Sequence, residues 1–300
     1  MSQALRVTHS WTDDTAAIAV EGLARPVRIL HVTDSHIVRL DERDAEHAPG
    51  AAKSLEHWAS VRKAADGGFI PTDASFREVV DRARAEQVEF LALTGDIIHF
   101  PAQASLEFAA AEVARAGVPA LYTSGNHDWH FPGLAGRAEL RRAWWPAMAP
   151  LHLGQAAHSR REVGGLLFVA IDDSTYQIET DQLEFFKQSL ALGLPTVLLT
   201  HIPLSLPTLR EGTIARWKAP ILIGDPHWDE ASRDRWGTGP DTAETLEFVR
   251  TAAAAPNLIA VLCGHIHFPH VDALNPRAVQ YVGAPGFDGR SRLIEFQPLV

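Results

Sequence analysis

Five short clusters of metal-type side chains punctuate the 300-residue sequence: Asp34-Ser35-His36, Gly95-Asp96, Gly125-Asn126-His127-Asp128, His201 and Gly264-His265-Ile266-His267. Carboxylate, amide oxygen and imidazole are the donors that Mn, Fe, Zn or Co ions take when no thiolate is offered. The chain holds one cysteine, Cys263, so an intrachain disulfide and a thiolate cage are both excluded. Donors at i and i+2, as in Asp34/His36 and His265/His267, fall on one side of extended backbone and can reach one point together. Taken singly, each cluster has an ordinary explanation. Asp34 could cap the segment after it, Gly-Asp and Gly-Asn-His-Asp suit plain turns, and His201 precedes a proline-containing loop. The pair His265/His267 is the most specific single signal.

The elements that must carry these residues decide the matter. Each cluster closes an apolar run: VRILHVTD, VEFLALTGD, PALYTSGNHD, TVLLTH and LIAVLCGH, with LLFVAIDD as a further run. In open α/β sheets, ligands bind at the carboxyl ends of the strands, so one rule brings all five clusters to one edge. Between the runs lie helical patterns: SFREVVDRARAEQ, ASLEFAAAEVARAG, RAELRRAWWPAM, TDQLEFFKQSLAL and DTAETLEFVRTAAA. Apolar strands alternating with amphipathic helices indicate a sheet buried on both faces, an α/β class. Residues 4–21 read as a hairpin, and AVQYVGAPGFDGRSRLIEFQ as a second one turning at Asp288-Gly289. Residues 41–75 and 204–240 break the strand–helix rhythm. They are expected to be a lid or edge insert and a substrate loop beside the site, because long irregular segments in a compact domain are commonly functional. Nothing divides the chain, and residues 1–300 are expected to form a single domain.

Composition bounds the partners. Hydrophobic residues make up 46% and charged residues 21%, enough for a full core without disulfides. The formal net charge of −10 with no basic stripe argues against nucleic acid. No apolar run reaches the ~20 residues needed to span a bilayer, and the N-terminus lacks a signal-peptide pattern. The expectation is a cytoplasmic protein with no nucleic-acid or membrane partner, and with a homodimer left open.

The order DxH, GD, GNH[D/E], H, GHxH resembles the calcineurin-like metallophosphoesterase superfamily, over residues 28–267. The GNHD form and the stretch AIDDSTYQIETDQLEFFKQSL look like the branch containing the class III cyclic nucleotide phosphodiesterases and the glycerophosphodiesterases. The resemblance implies a four-layer sandwich of two mixed β-sheets flanked by helices. It implies two divalent or trivalent ions (Mn2+, Fe2+/Fe3+, Zn2+ or Co2+), one on Asp34, His36 and His267, the other on Asn126, His201 and His265, with Asp96 shared. His127 would then face substrate, oriented by Asp128, while a hydroxide bridging the ions attacks in line. Two divalent ions roughly 3.5–4 Å apart need such a shared carboxylate. Their charge of roughly +4, less two carboxylates and a hydroxide, leaves about +1 to attract phosphate. The implied activity is hydrolysis of a phosphate ester, a small phosphodiester first, with a phosphomonoesterase or protein phosphatase as the alternative. A non-catalytic scaffold on the same fold is disfavoured, because no ligand is missing. An amidohydrolase is rejected, because its HxH pair belongs on the first strand. The gap from His36 to Asp96 is longer than usual for the branch. Arg210, Arg216, Trp217, Lys218 and His227 in the second segment read as solvated loop residues, and His99 and His130 as pocket lining at most.

Overall fold

The computed structural model describes residues 5–132, 138–152 and 155–299. The chain opens with an antiparallel hairpin of β1 (Val7–Trp11) and β2 (Thr15–Val20). The strand β3 (Val27–Val32) then runs to the first cluster. Next come a 3-10 turn (Glu42–His47), α1 (Ala48–Ala59), a small ribbon of β4 (Arg62–Lys63) and β5 (Phe69–Ile70), and α2 (Thr72–Ala85). Strands and helices then alternate: β6 (Phe90–Thr94), α3 (Gln103–Ala116), β7 (Ala120–Thr123) and α4 (Ala138–Met148). A hairpin of β8 (His158–Val163) and β9 (Leu166–Ile171) leads to α5 (Thr180–Leu190) and β10 (Thr196–Leu199). Helices α6 (Pro207–Trp217), α7 (Glu230–Arg235) and α8 (Ala243–Ala254) precede β11 (Leu258–Cys263), β12 (His270–Ala273), β13 (Val279–Val282) and β14 (Arg292–Pro298).

The helices form where apolar spacing and caps coincide. In α2, Phe76, Val79, Val80 and Ala83 repeat at three- and four-residue steps, and all are buried. The N-terminus of α5 is closed by Gln182, whose Oε1 accepts from the Glu179 amide at 2.8 Å. That of α8 is closed by Thr242, whose Oγ1 accepts from the Thr245 amide at 3.1 Å.

The strands make two six-stranded mixed sheets, ordered β1-β2-β14-β3-β6-β7 and β12-β13-β11-β10-β9-β8. Alternate residues of the same apolar run serve different layers. Ile29, Phe90, Phe168, Val197, Leu262 and Phe296 point between the sheets. Leu30, Val32, Leu91 and Leu93 point the other way, onto α2 and α3. Val169, Leu198 and Val261 meet Phe186 of α5 and Phe248 of α8 on the far side. The layers therefore run helix, sheet, sheet, helix, as the resemblance implies. Phe90 of one sheet and Phe168 of the other lie 4.6 Å apart between ring centres, an aromatic pairing that adds about 0.5–1.5 kcal/mol to the area they bury. Among the described residues, no helix is long and apolar enough to cross a membrane.

The expected C-terminal hairpin is not formed. β13 belongs to one sheet and β14 to the other. Between them the chain makes a 3-10 turn at Gly286–Asp288, closed by Gly289 at φ 72°. The amides of Gly286 and Phe287 donate to the carbonyls of Thr33 and Asp34 at 2.8 and 3.0 Å. The chain is thus tied to the loop after β3 instead of folding back on itself. Turn-forming residues mark a reversal but do not say which strands it joins.

Candidate metal centre

The parallel strands of both sheets end side by side, and their next residues converge. Asp34 follows β3, Asp96 follows β6, Asn126 follows β7, His201 follows β10, and His265 and His267 follow β11. Three overlapping groups of potential ligands result among the described residues, with the donor atoms of each within 4.8 Å of one another: Asp34/His36/Asp96/His267 and Asp96/His201/His265, the two clusters that contain the expected ligands, and the all-histidine group His36/His99/His127. Asp96 is common to the first two. The Asn126 Oδ1 lies 3.2 Å from His201 Nε2 and so joins the second cluster. All seven residues expected as ligands are brought together.

The backbone is strained to do this. Asp34, His36, Asp96, His265 and His267 all sit at positive φ, from 45° to 73°, a region that costs non-glycine residues roughly 1–3 kcal/mol each and that gathers at functional sites. The strain is held by amide hydrogen bonds to neighbouring loops. His36 N donates to Asp96 O at 2.8 Å, Asp34 N to Gly95 O at 3.0 Å, and His265 N to Asp34 Oδ2 at 3.0 Å. Two glycines make room. A Cβ on Gly125 would strike the Asp96 carboxylate, and one on Gly264 would strike Thr33 Oγ1 and Asp34 Oδ2.

The donor set fits a cation. The Thr94 carbonyl can only accept, so His201 Nδ1 must donate to it at 2.8 Å. A neutral His201 then presents a bare Nε2 to Asp96 Oδ2 at 3.2 Å and to Asn126 Oδ1 at 3.2 Å. Three lone pairs facing one another in a dry interior require a positive charge among them. With only protons to supply it, burial opposes charge on His201, yet Asp96, joined by Asp34 and Asp173, overcomes burial and the pKa is pushed up to about 10. Burial also opposes charge on Asp96, but the surrounding imidazoles, His201 first, hold it well below the usual carboxylate range. In the other cluster, His36 Nε2 and His267 Nε2 face each other at 3.1 Å, and His267 Nε2 lies 3.4 Å from Asp34 Oδ1. Burial drives His36 well below its normal pKa, which keeps it neutral and ready to coordinate.

The two residues expected to act on substrate separate in role. His127 stands half-buried beside the clusters, its ring 5.1 Å from that of His36 and stacked on His99 at 4.5 Å. Loss of water around the ring lowers its pKa to about 4. Asp128 does not hold the His127 ring, and that expectation is corrected. Its Oδ2 accepts from the amides of Asp96 at 2.8 Å and Gly125 at 2.6 Å, and its Oδ1 from Ile98 at 2.9 Å. An acidic side chain in a tight turn finds unpaired amides nearer than any neighbouring imidazole. Burial pushes Asp128 up to about 7.

Several contributors were not legible in the sequence. Asp173, after β9, accepts from His201 N at 2.9 Å. Tyr176 has its hydroxyl 2.9 Å from His265 Nε2, which leaves Nδ1 as the nitrogen that His265 can offer an ion. The run LLFVAIDD does mark one more strand end with carboxylates, and that was the available signal for both. Residues 41–75 reach the site through Trp58, stacked on the His36 ring at 4.2 Å and 9°. Residues 204–240 reach it through Trp217, whose Nε1 donates to Ile266 O at 2.9 Å with its ring 5.4 Å from that of His267. Arg210 is spent on the buried Asp225 at 2.6 Å. His130 lines a cavity of about 740 Å³ beside Asn126, walled by Trp129, Tyr176 and Trp236.

The family model for calcineurin-like phosphoesterases matches residues 27–269, the span that contains every one of these clusters. The chain belongs to that family. A dimetal phosphatase from Danio rerio has a similar structure, with a TM-score of 0.53 and 11% identity over 87% of this chain and 88% of that one. A purple acid phosphatase from yellow lupin gives 0.49 and 14% over 93% of this chain and 48% of its own. At 11% identity the likeness to the Danio rerio protein is one of fold. No curated protein matches the chain. Within this phosphoesterase family, the His/Asp clusters sharing Asp96 suggest a dinuclear centre.

Proposed function

We propose that the chain is a dinuclear metal-dependent phosphoesterase whose substrate is a small phosphodiester. The observation that carries this reading is Asp96, one carboxylate belonging to two ligand clusters at once. Asp34, His36 and His267 would hold one ion, and Asn126, His201 and His265 the other, with Asp96 between them. Two such ions, when bound, supply Lewis acidity and a source of hydroxide at neutral pH. The protein's own contribution is then to bind, orient and protonate. Asp128 and Asp173 fix the loops that aim Asp96 and His201. As water adds to phosphorus, the bond to the leaving oxygen breaks, and that alkoxide needs a proton. His127 lies against both clusters without belonging to the seven ligands; neutral in the free site, where its pKa is lowered to about 4, it is placed to take a proton as the negative phosphoryl group raises that pKa and to pass it to the leaving oxygen.

The preference for a diester is supported by charge and space. Among the described residues, the cavity beside Asn126 is lined by Arg235, Glu139 and Asp234 and by Glu179, which is already paired with Arg141 and Arg142 at 2.7 Å. A monoester dianion would find little to balance its second charge there, whereas a diester carries one. The cavity's aromatic walls offer a place for a second ester arm. The test compares bis(p-nitrophenyl) phosphate with p-nitrophenyl phosphate on Mn2+-loaded protein. A higher kcat/KM for the diester is expected. A monoester preference would overturn the substrate class, and a fully loaded protein inert towards both would point to a scaffold.

A further inference from the structure

His99 fills none of the seven ligand positions, yet it touches one of them. Its Nδ1 lies 3.0 Å from His36 Nδ1, and its Nε2 lies 3.2 Å from Ser54 Oγ on α1. The contact is built into the sheet. An isolated bridge, Ile37 with Ile98, continues the β3–β6 pairing past the site. The His99 amide donates to Ile37 O at 3.0 Å. Both rings are therefore placed by main chain. They are also clamped by aromatics, with Trp58 stacked on His36 and 5.1 Å from His99 on one side and His127 stacked on His99 on the other.

Two ring nitrogens 3.0 Å apart hold one proton between them, and its owner matters. A neutral imidazole carries one N–H. If His36 is to offer a bare Nε2 to an ion, its proton is on Nδ1, and His99 Nδ1 must be the acceptor. The proton of His99 is then on Nε2, where it donates to Ser54 Oγ. The reverse arrangement puts the His36 proton on Nε2, pointing at His267 and Asp96, and closes that coordination position. Only one direction of the relay, from His36 to His99 to Ser54, is compatible with a loaded site. Ligand histidines usually set this tautomer by donating to a carboxylate or carbonyl. Here the acceptor is itself a histidine whose orientation depends on α1.

We propose that His99 is a positioning residue that fixes the ligand tautomer of His36, and that α1, through Ser54, is part of the metal site. This deepens the dinuclear reading and rests on it. The test is titration of the metal-free full chain with Mn2+, followed by calorimetry and by electron paramagnetic resonance, in which a coupled pair and an isolated ion give different spectra. The wild-type chain is expected to take two ions. His99→Phe is expected to keep the ion of the Asn126/His201/His265 cluster at wild-type affinity and to weaken the other about 10–100-fold, with loss of the coupled signal. His99→Asn, which returns an acceptor oxygen near the position of Nδ1, should recover most of that affinity. Ser54→Ala, on the outer helix and harmless to the core, should weaken the same ion about three- to tenfold, as expected for one hydrogen bond. Two ions held at unchanged affinity in His99→Phe would overturn the inference. So would an equal loss of both ions accompanied by a lower melting temperature, which would make His99 merely structural. A wild-type chain that takes fewer than two ions would overturn the dinuclear reading itself, and this inference with it.

Discussion

At the residue scale, the site is a matter of lone pairs. Asp96 is close to His201 at 3.2 Å and to His36 at 3.7 Å, so its carboxylate is the charge that both clusters share. Asp96→Asn should leave Mn2+-reconstituted protein with fewer than one ion per chain by elemental analysis, whereas His267→Ala should leave about one. Equal retention in the two variants would show that Asp96 is not shared. Removing the imidazole of His127 should leave both ions in place and lower kcat about 10²–10⁴-fold, the usual worth of a positioned general acid. The loss should be larger for an alkyl leaving group than for p-nitrophenolate, which barely needs a proton. Steady-state rates on matched diesters check this, and equal losses would assign His127 a purely electrostatic role.

At the element scale, α1 is the part of the molecule that strand ends alone do not account for. It comes from the segment after His36 and returns over it. Trp58, 6% exposed, lies flat on the His36 ring. An apolar shell of this kind controls how readily water reaches a ligand. Trp58→Ala should therefore let a chelator strip the ion on His36 about tenfold faster, with little change in the other ion. Stopped-flow mixing of loaded protein with a metal indicator resolves the two phases, and identical rates in both proteins would confine Trp58 to packing. The loops between strand and ligand carry the same lesson. Gly125→Ala would drive a Cβ into the Asp96 carboxylate, so metal content should fall while far-ultraviolet circular dichroism stays near wild type.

At the scale of the whole molecule, buried histidines outside the site make stability depend on pH. His152, 8% exposed and packed against Tyr122, is lowered to about 4 by burial, with Asp172 acting against the shift. Unfolded, the same ring titrates near 6.5. Between those values the unfolded chain binds more protons, so stability rises with pH there. The contribution of His152 is full above about 6.5 and is lost as pH falls through about 4, a change of roughly 3 kcal/mol. Asp173 and Asp128, raised to about 7 by burial, act with the opposite sign over much of this range, and His127, lowered to about 4, acts with the same sign, so the bare profile of the wild type mixes several groups. Comparing wild type with His152→Gln isolates one group. The variant should gain on the wild type as pH drops from 6.5 towards 4 in urea unfolding, and a constant gap would mean that His152 is not buried neutral.

Residue types in order were enough to pick out the seven side chains that the fold brings together. A carboxylate or imidazole after an apolar run is a strand-end signal, and both the strand periodicity and the ligand chemistry are local properties of the chain. The helices α2, α3, α4, α5 and α8 and the strands that carry the ligands were legible for the same reason. What local pattern does not encode is which distant segments meet. That β13 and β14 part into different sheets, that Asp128 serves backbone amides instead of His127, and that Tyr176 and Asp173 hold His265 and His201 follow from which strands come to lie beside one another in each sheet. The roles of His99 and Trp58 depend on the return of α1 over the site. A side chain's type states what it can donate or accept, and only the tertiary structure decides which partner arrives within 3 Å of it.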